Sequence, residues 1–316
     1  MPLSLDPEIA AALEALFAEA GDAQPPARGD VASRRRNVEA LQAAVHGLIP
    51  AAHDVTTTDY ETTTEDGATI LLRWYARAGS RPGSAVLYLH GGGMILSNVE
   101  IYDRVVSRYV SATGVPFLSV EYRYAPEHPA PTPVTDSYAG LRWLVEHAAD
   151  LGVDPARIAV MGDSGGGGVA ASLAIFARDQ GGPVLAKQIL VYPMLDDRNT
   201  VPDPELVPFA TWSYDDNATG WGALLGDAAG GGDVSPYGAA ARLADFRGLP
   251  PAYIEVGELD IFRDESLSYA RRLVAAGVST ELHLHPAVPH APEALVPGAE
   301  ISRRMLADRD RVISAL

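Results

Sequence analysis

Two glycine-flanked clusters about 70 residues apart carry the residue types that nucleophilic catalysis uses: His90-Gly91-Gly92-Gly93 and Gly162-Asp163-Ser164-Gly165-Gly166. The second has the G-x-S-x-G spacing, in which small residues permit a sharp turn that lifts a serine oxygen clear of its surroundings. The first has the pattern of a loop that offers backbone N–H groups to a developing oxyanion. Together they point to acyl transfer through Ser164, with Gly92, Gly93 and Gly165 supplying the amides. A serine hydroxyl is a poor nucleophile at neutral pH, so this chemistry also requires a histidine base and a carboxylate to orient it.

The elements around the two clusters must set those groups in place. Each cluster follows an apolar run that reads as a strand, Ala85 to Leu89 and Arg157 to Met161. Further strands are expected near 116–121, 187–192, 252–256 and 280–284, with helices near 102–112, 136–149, 165–178 and 264–276. Strands separated by helices imply a mostly parallel sheet covered on both faces. Ahead of it, Val55 to Thr64 and Thr69 to Tyr75 alternate around Asp66-Gly67 and read as an antiparallel hairpin, which brings the count to eight strands. Gly277 is placed to cap the helix before the last strand, and Glu300 to Leu316 reads as a closing amphipathic helix.

Two segments depart from this rhythm. Residues 1–50 look helical, with Ile9, Leu13, Leu16 and Phe17 and then Val38, Leu41 and Val45 at helical spacing, broken at Gln24-Pro25-Pro26. Residues 196–250 hold several prolines, Trp212, Trp221 and a glycine run, the mark of a lid or specificity insertion. The division expected is cap helices over 1–50, a catalytic domain over 51–195 and 236–316, and a cap insertion over 196–235.

Composition narrows the options. The net charge of −17 disfavours nucleic acid and anionic membrane surfaces as partners, and the basic run Arg34 to Arg36 is too short to change that; it reads as a solvated helix face. The absence of cysteine excludes disulfides, thiolate metal sites and a cysteine nucleophile. No clustered metal-ligand pattern and no dinucleotide fingerprint is present, so no cofactor and no metal are expected. No run approaches the ~20 apolar residues of a membrane span, and the amino terminus lacks a secretory pattern. A soluble cytoplasmic protein is the expectation.

With a nucleophile elbow on such a sheet, the acid and then the base follow the serine at the ends of the last strands. Only His283, His285 and His290 lie downstream of Ser164. His283 and His285 alternate within the last strand, whereas His290 falls in the loop after it and is the expected base. Asp260, in Glu258-Leu259-Asp260-Ile261, is the expected acid; Glu258, Asp264 and Glu265 are neighbours, Asp264 better placed to open the next helix. His90 precedes the serine and reads as a histidine that holds the glycine loop, and Asp163 as an anchor of the elbow.

These residues resemble the hormone-sensitive-lipase-like family of α/β-hydrolases, also called bacterial family IV esterases. Four blocks carry the resemblance across about residues 50 to 300: His90 to Gly93, Glu121 to Pro129, Gly162 to Gly167, and Glu258-Leu259-Asp260 with His285-Pro286 and His290. It implies an α/β-hydrolase fold with a helical cap, a Ser164–His290–Asp260 triad and an oxyanion hole of Gly92, Gly93 and Gly165. By analogy with relatives it also implies a homodimer through a sheet edge or the terminal helices. The chain departs from the family at Gly165, where alanine is usual, and at Ala291-Pro292, where glycine and an aromatic residue often follow the histidine. Met94, Ile95 and Leu96 replace a stretch that often begins with an aromatic residue, and either shape a pocket or pack the core.

The function expected is hydrolysis of small to medium apolar acyl esters. An amidase, deacetylase or transacylase would share every motif, and product analysis with competing nucleophiles separates them. A ligand receptor on a disabled scaffold is a third class, at odds with the retention of serine, acid and base.

Overall fold

The computed structural model describes residues 3–20 and 24–316; the side chains of residues 16–20, among them Leu16 and Phe17, lie outside that description. Two helices come first, α1 (Pro7–Ala20) and α2 (Val31–Gly47), followed by the hairpin β1 (Val55–Thr63) and β2 (Thr69–Arg77). Then come β3 (Ala85–Leu89), α3 (Asp103–Thr113), β4 (Phe117–Val120), α4 (Thr132–Glu146), α5 (Ala148–Leu151), β5 (Ile158–Asp163) and α6 (Gly165–Asp179). The remainder is β6 (Lys187–Val191), α7 (Tyr214–Leu225), β7 (Ala252–Gly257), α8 (Arg263–Ala275), β8 (Thr280–His285), α9 (Pro292–Leu295) and α10 (Glu300–Ser314).

The eight strands form one sheet in the order β1-β2-β4-β3-β5-β6-β7-β8. β2 runs antiparallel to both its neighbours, and β3 through β8 pair parallel. The central strands are apolar throughout because both faces are covered, and alternation along β3 shows it. Ala85, Leu87 and Leu89 join the core beneath α4, α6 and α8, while Val86 and Tyr88 join the core beneath α3 and α10. A smaller cluster ties α1 to the carboxyl-terminal region through Ile9 and Leu13 against Val288, Ile301 and Met305. No described helix is long and apolar enough to cross a membrane.

Two expectations change, and one open alternative is decided. The helix expected over 136–149 starts at Thr132 and is interrupted at His147, whose ring stacks on Trp143 and bonds its carbonyl. The Arg34–Arg36 run is not a solvated face. Arg34 is buried, bonding Asp216 and the carbonyls of Pro26 and Ala27, so it welds α2 to α7. Arg35 donates to the carbonyls of Ile95 and Ala125 and pairs with Glu127, so only Arg36 is exposed. Met94, Ile95 and Leu96 pack into the core, at 2%, 0% and 0% exposure, rather than lining the large cavity described below.

Candidate active site

Ser164 sits between β5 and α6 with φ of 53°, a conformation that a residue bearing a Cβ holds only at a cost of about 1–3 kcal/mol. Backbone bonds on both sides impose it. Its N–H donates to Val191 at the end of β6, and its carbonyl accepts from Gly168 and Met194. The side chain therefore projects from the carboxyl end of the sheet's central strand, where a substrate can reach it.

β7 and β8 end on the same edge and bring the partners. The Ser164 hydroxyl donates to His290 Nε2 at 2.9 Å, and His290 Nδ1 donates to Asp260 Oδ2 at 2.7 Å. Asp260 is fixed in turn, its other oxygen accepting the Phe262 N–H at 2.9 Å. Tyr192 and Phe262 flank the imidazole edge to face, which leaves the ring little freedom. Ala291, directly after the histidine, takes φ of 52°, a left-handed conformation that favours glycine. Glu258 does not join this row; it accepts the Ala287 N–H and so holds the loop that carries His290. Asp264 begins α8 and pairs with Arg263. Glu265 is buried and accepts the amides of Leu195 and Asp196.

The glycine loop meets the elbow at the serine. Gly92 has φ of 119°, open to glycine alone at low cost, and a Cβ on Gly165 would lie 2.7 Å from the Gly93 nitrogen. The two turns are thus in backbone contact. The amides of Gly92, Gly93 and Gly165 donate to no described residue, while the Ile95 and Leu96 amides fold back onto the Gly92 carbonyl. His90 is buried, bonds the Gly91 carbonyl and stacks on Tyr122, whose hydroxyl bonds the His90 carbonyl. Burial drives its pKa down to about 4. It is a neutral strut away from the serine. Asp163 accepts the hydroxyls of Tyr88 at 2.6 Å and Tyr102 at 2.8 Å, and burial raises its pKa in spite of those two donors.

A cavity of about 340 Å³ opens on Ser164 and His290, within the range that accepts a small organic ligand. Its walls come from distant parts of the chain: Val38, Leu41 and Val45 of α2, Trp212 before α7, and Leu306 and Arg309 of α10. Below it, Arg309 is buried between Glu255 and Glu293, bonding each at 2.6 Å, and Tyr192 donates to Glu293 at 2.6 Å. Burial would raise the Glu255 carboxyl, but the Arg309 charge, the nearby His285 ring and a bond from the Tyr253 hydroxyl outweigh it and hold the pKa at about 2. Sequence reasoning missed this network, as it missed Tyr192 and Thr211. Among the described residues no group of three or more His, Asp or Glu side chains is placed to hold a metal ion.

Known proteins share this fold. A family model described as alpha/beta hydrolase fold matches residues 86–293. The carboxylesterase NlhH of Mycobacterium tuberculosis is 42% identical over 217 residues, which covers 65% of each chain, so the match spans just under two thirds of that relative. The ethyl acetate hydrolase of Pseudomonas putida is 32% identical over 91% of this chain and 92% of its own. Among solved structures, a bacterial heroin esterase superposes with a TM-score of 0.89 at 35% identity, covering 99% of this chain and 98% of its own. The chain belongs to the α/β-hydrolase family, in its hormone-sensitive-lipase-like branch.

Proposed function

We propose that this protein is a carboxylesterase that hydrolyses small to medium, apolar acyl esters through an acyl-enzyme on Ser164. One observation carries the reading: the 2.9 Å and 2.7 Å bonds that string Ser164, His290 and Asp260 together beside the unengaged amides of Gly92, Gly93 and Gly165. His290 Nε2 takes the serine proton as Oγ attacks the acyl carbon. The Asp260 carboxylate stabilises the imidazolium that results. The carbonyl oxygen, now carrying the negative charge, accepts from the glycine amides, each worth ~3 kcal/mol in the transition state. His290 then returns the proton to the departing alcohol, and water repeats the sequence to free the acid.

The named activities of the relatives, carboxylic ester and ethyl acetate hydrolysis, support this substrate class. Mostly apolar cavity walls suit an uncharged acyl or alcohol chain. In this reading α1, α2 and residues 196–235 form a cap over a catalytic domain of 51–195 and 236–316. α2 bonds the glycine loop through Arg35 and Glu39, and Thr211 of the insertion bonds the His290 carbonyl. The reading extends to a cytoplasmic homodimer, which fractionation and light scattering test.

The deciding experiment is a panel of p-nitrophenyl esters of rising chain length, run on wild type and Ser164→Ala. A loss of at least about 10⁴-fold in kcat for the variant, with its fold intact, is expected. Retained activity in a folded Ser164→Ala protein overturns the proposal.

A further inference from the structure

Gly93, an oxyanion donor in the ester-hydrolase reading, is enclosed on several sides. Gly165 of the elbow reaches its nitrogen. Trp212 stands at its Cα: a Cβ on Gly93 would lie 2.5 Å from Cζ2 and 2.8 Å from Cη2 of the indole, so the six-membered ring rests directly on the glycine. Gly220 of α7 stands at its carbonyl, where a Cβ would lie 2.8 Å from the Gly93 oxygen and 3.3 Å from Met194 Cε. Only residues without a Cβ let the insertion close this far onto the oxyanion loop.

These contacts put Trp212 on a boundary. It lines the 340 Å³ cavity together with Ser164 and His290. That cavity extends over the face of the sheet that carries α3 and α10, past Tyr102, Tyr109 and Leu306. Trp212 itself packs into the core of the opposite face with Met94, Met194, Trp221 and Leu224, and none of those four lines the cavity. Its Nε1 is buried without a partner among the described residues, so packing rather than a hydrogen bond holds the indole in place. The space around Ser164 is therefore open towards α3 and α10 and walled by Trp212 on the other side.

An ester held at Ser164 has two arms, acyl and alcohol, which leave the carbonyl carbon in different directions. We propose that one arm enters the cavity while the other meets Trp212, so that the substrates are esters with one extended apolar arm and one short arm, and Trp212 sets the limit on the short one. The inference rests on the ester-hydrolase reading and names the substrate class of that same site. One methylene too many against a packed wall is enough to cost about tenfold in kcat/KM.

The experiment follows hydrolysis by the full-length protein in a pH-stat, on two series that both start from methyl acetate. In alkyl acetates from methyl to octyl the alcohol arm grows; in methyl alkanoates from acetate to octanoate the acyl arm grows. In wild type, one series is expected to hold or gain kcat/KM with length, and the other to fall at least about tenfold by butyl length. In Trp212→Ala the falling series recovers about tenfold at hexyl length relative to methyl acetate, while the tolerated series keeps its profile. Trp212→Leu, which leaves an apolar side chain in the core, recovers part of that.

Ratios within one enzyme do not depend on how much of a variant is folded. A purely structural role for Trp212 lowers every ester alike and leaves both profiles unchanged. Whichever series falls identifies the arm at Trp212, and both identities uphold the proposal. Two tolerated series or two falling ones in wild type overturn it. So does a falling series that stays as steep in both variants, or a gain confined to the series already tolerated. Ser164→Ala separates the two failures: activity lost with serine but without the asymmetry sinks this inference alone, whereas activity that survives in folded Ser164→Ala sinks the ester-hydrolase reading.

Discussion

Thr211, in the insertion between β6 and β7, donates its hydroxyl to the main-chain carbonyl of His290 at 2.7 Å. The insertion thus touches the residue proposed to move the proton, not only the pocket. Removing that bond with Thr211→Val keeps the shape and frees the His290 loop. We expect kcat/KM to fall about fivefold, the equivalent of ~1 kcal/mol for one neutral bond, as measured by steady-state hydrolysis of a short-chain ester. An unchanged rate would show that the loop's other ties, such as the Ala287 bond to Glu258, are enough to hold it.

Asp260 gives a sharper expectation. Its Oδ1 accepts the Phe262 N–H, so in Asp260→Asn the amide oxygen stays there and the NH₂ faces His290 Nδ1. Nδ1 must then accept, which places the ring proton on Nε2, where it blocks uptake of the serine proton. A drop in kcat of about 10⁴-fold at neutral pH, with little change in KM, is expected.

His90 couples stability to pH. Its pKa is lowered from 6.5 to about 4 by burial, so between those values the unfolded chain holds a proton that the folded chain refuses. Stability rises with pH wherever the unfolded state binds more protons, so this contribution is complete above pH 6.5 and is lost as pH falls towards 4. The full effect is on the order of 3 kcal/mol. His46, also lowered by burial, acts in the same direction. His90→Phe keeps a ring against Tyr122 and removes one titration. Urea unfolding from pH 7 to pH 4 should show a shallower loss of stability in the variant than in wild type; parallel slopes would refute the assignment.

Arg309 holds together the charges beneath the cavity. Arg309→Met leaves Glu255 and Glu293 buried without their cation, which should cost about 3–5 kcal/mol. A lower urea midpoint at unchanged slope is the expected signature. Adding Glu255→Gln should recover part of the loss, because the two side chains interact directly.

The sheet was legible because its signal is local. Ala85 to Leu89 and Arg157 to Met161 read as strands set between turns, and their boundaries shift by no more than two residues in the structure. Ser164 announced itself through the glycines that its turn requires, and His290 stood out because chain order left three histidines to choose from. The surroundings of these residues were not legible. Arg309 lies in an ordinary-looking helix of alternating charges, and its partners are 54 and 16 residues away. Tyr192 and Glu293 are 101 residues apart and carry no motif. Arg34 looked like one of three solvated arginines because nothing local reports that α7 will cover it. Met94 to Leu96 follow the glycine loop directly, but the turn sends them inward.

The cavity's walls come from α2, near one end of the chain, and α10, near the other. A chain cut before residue 300 would keep Ser164, Asp260 and His290 but lose Leu306 and Arg309, so the residues proposed for catalysis would stand beside an open-sided compartment.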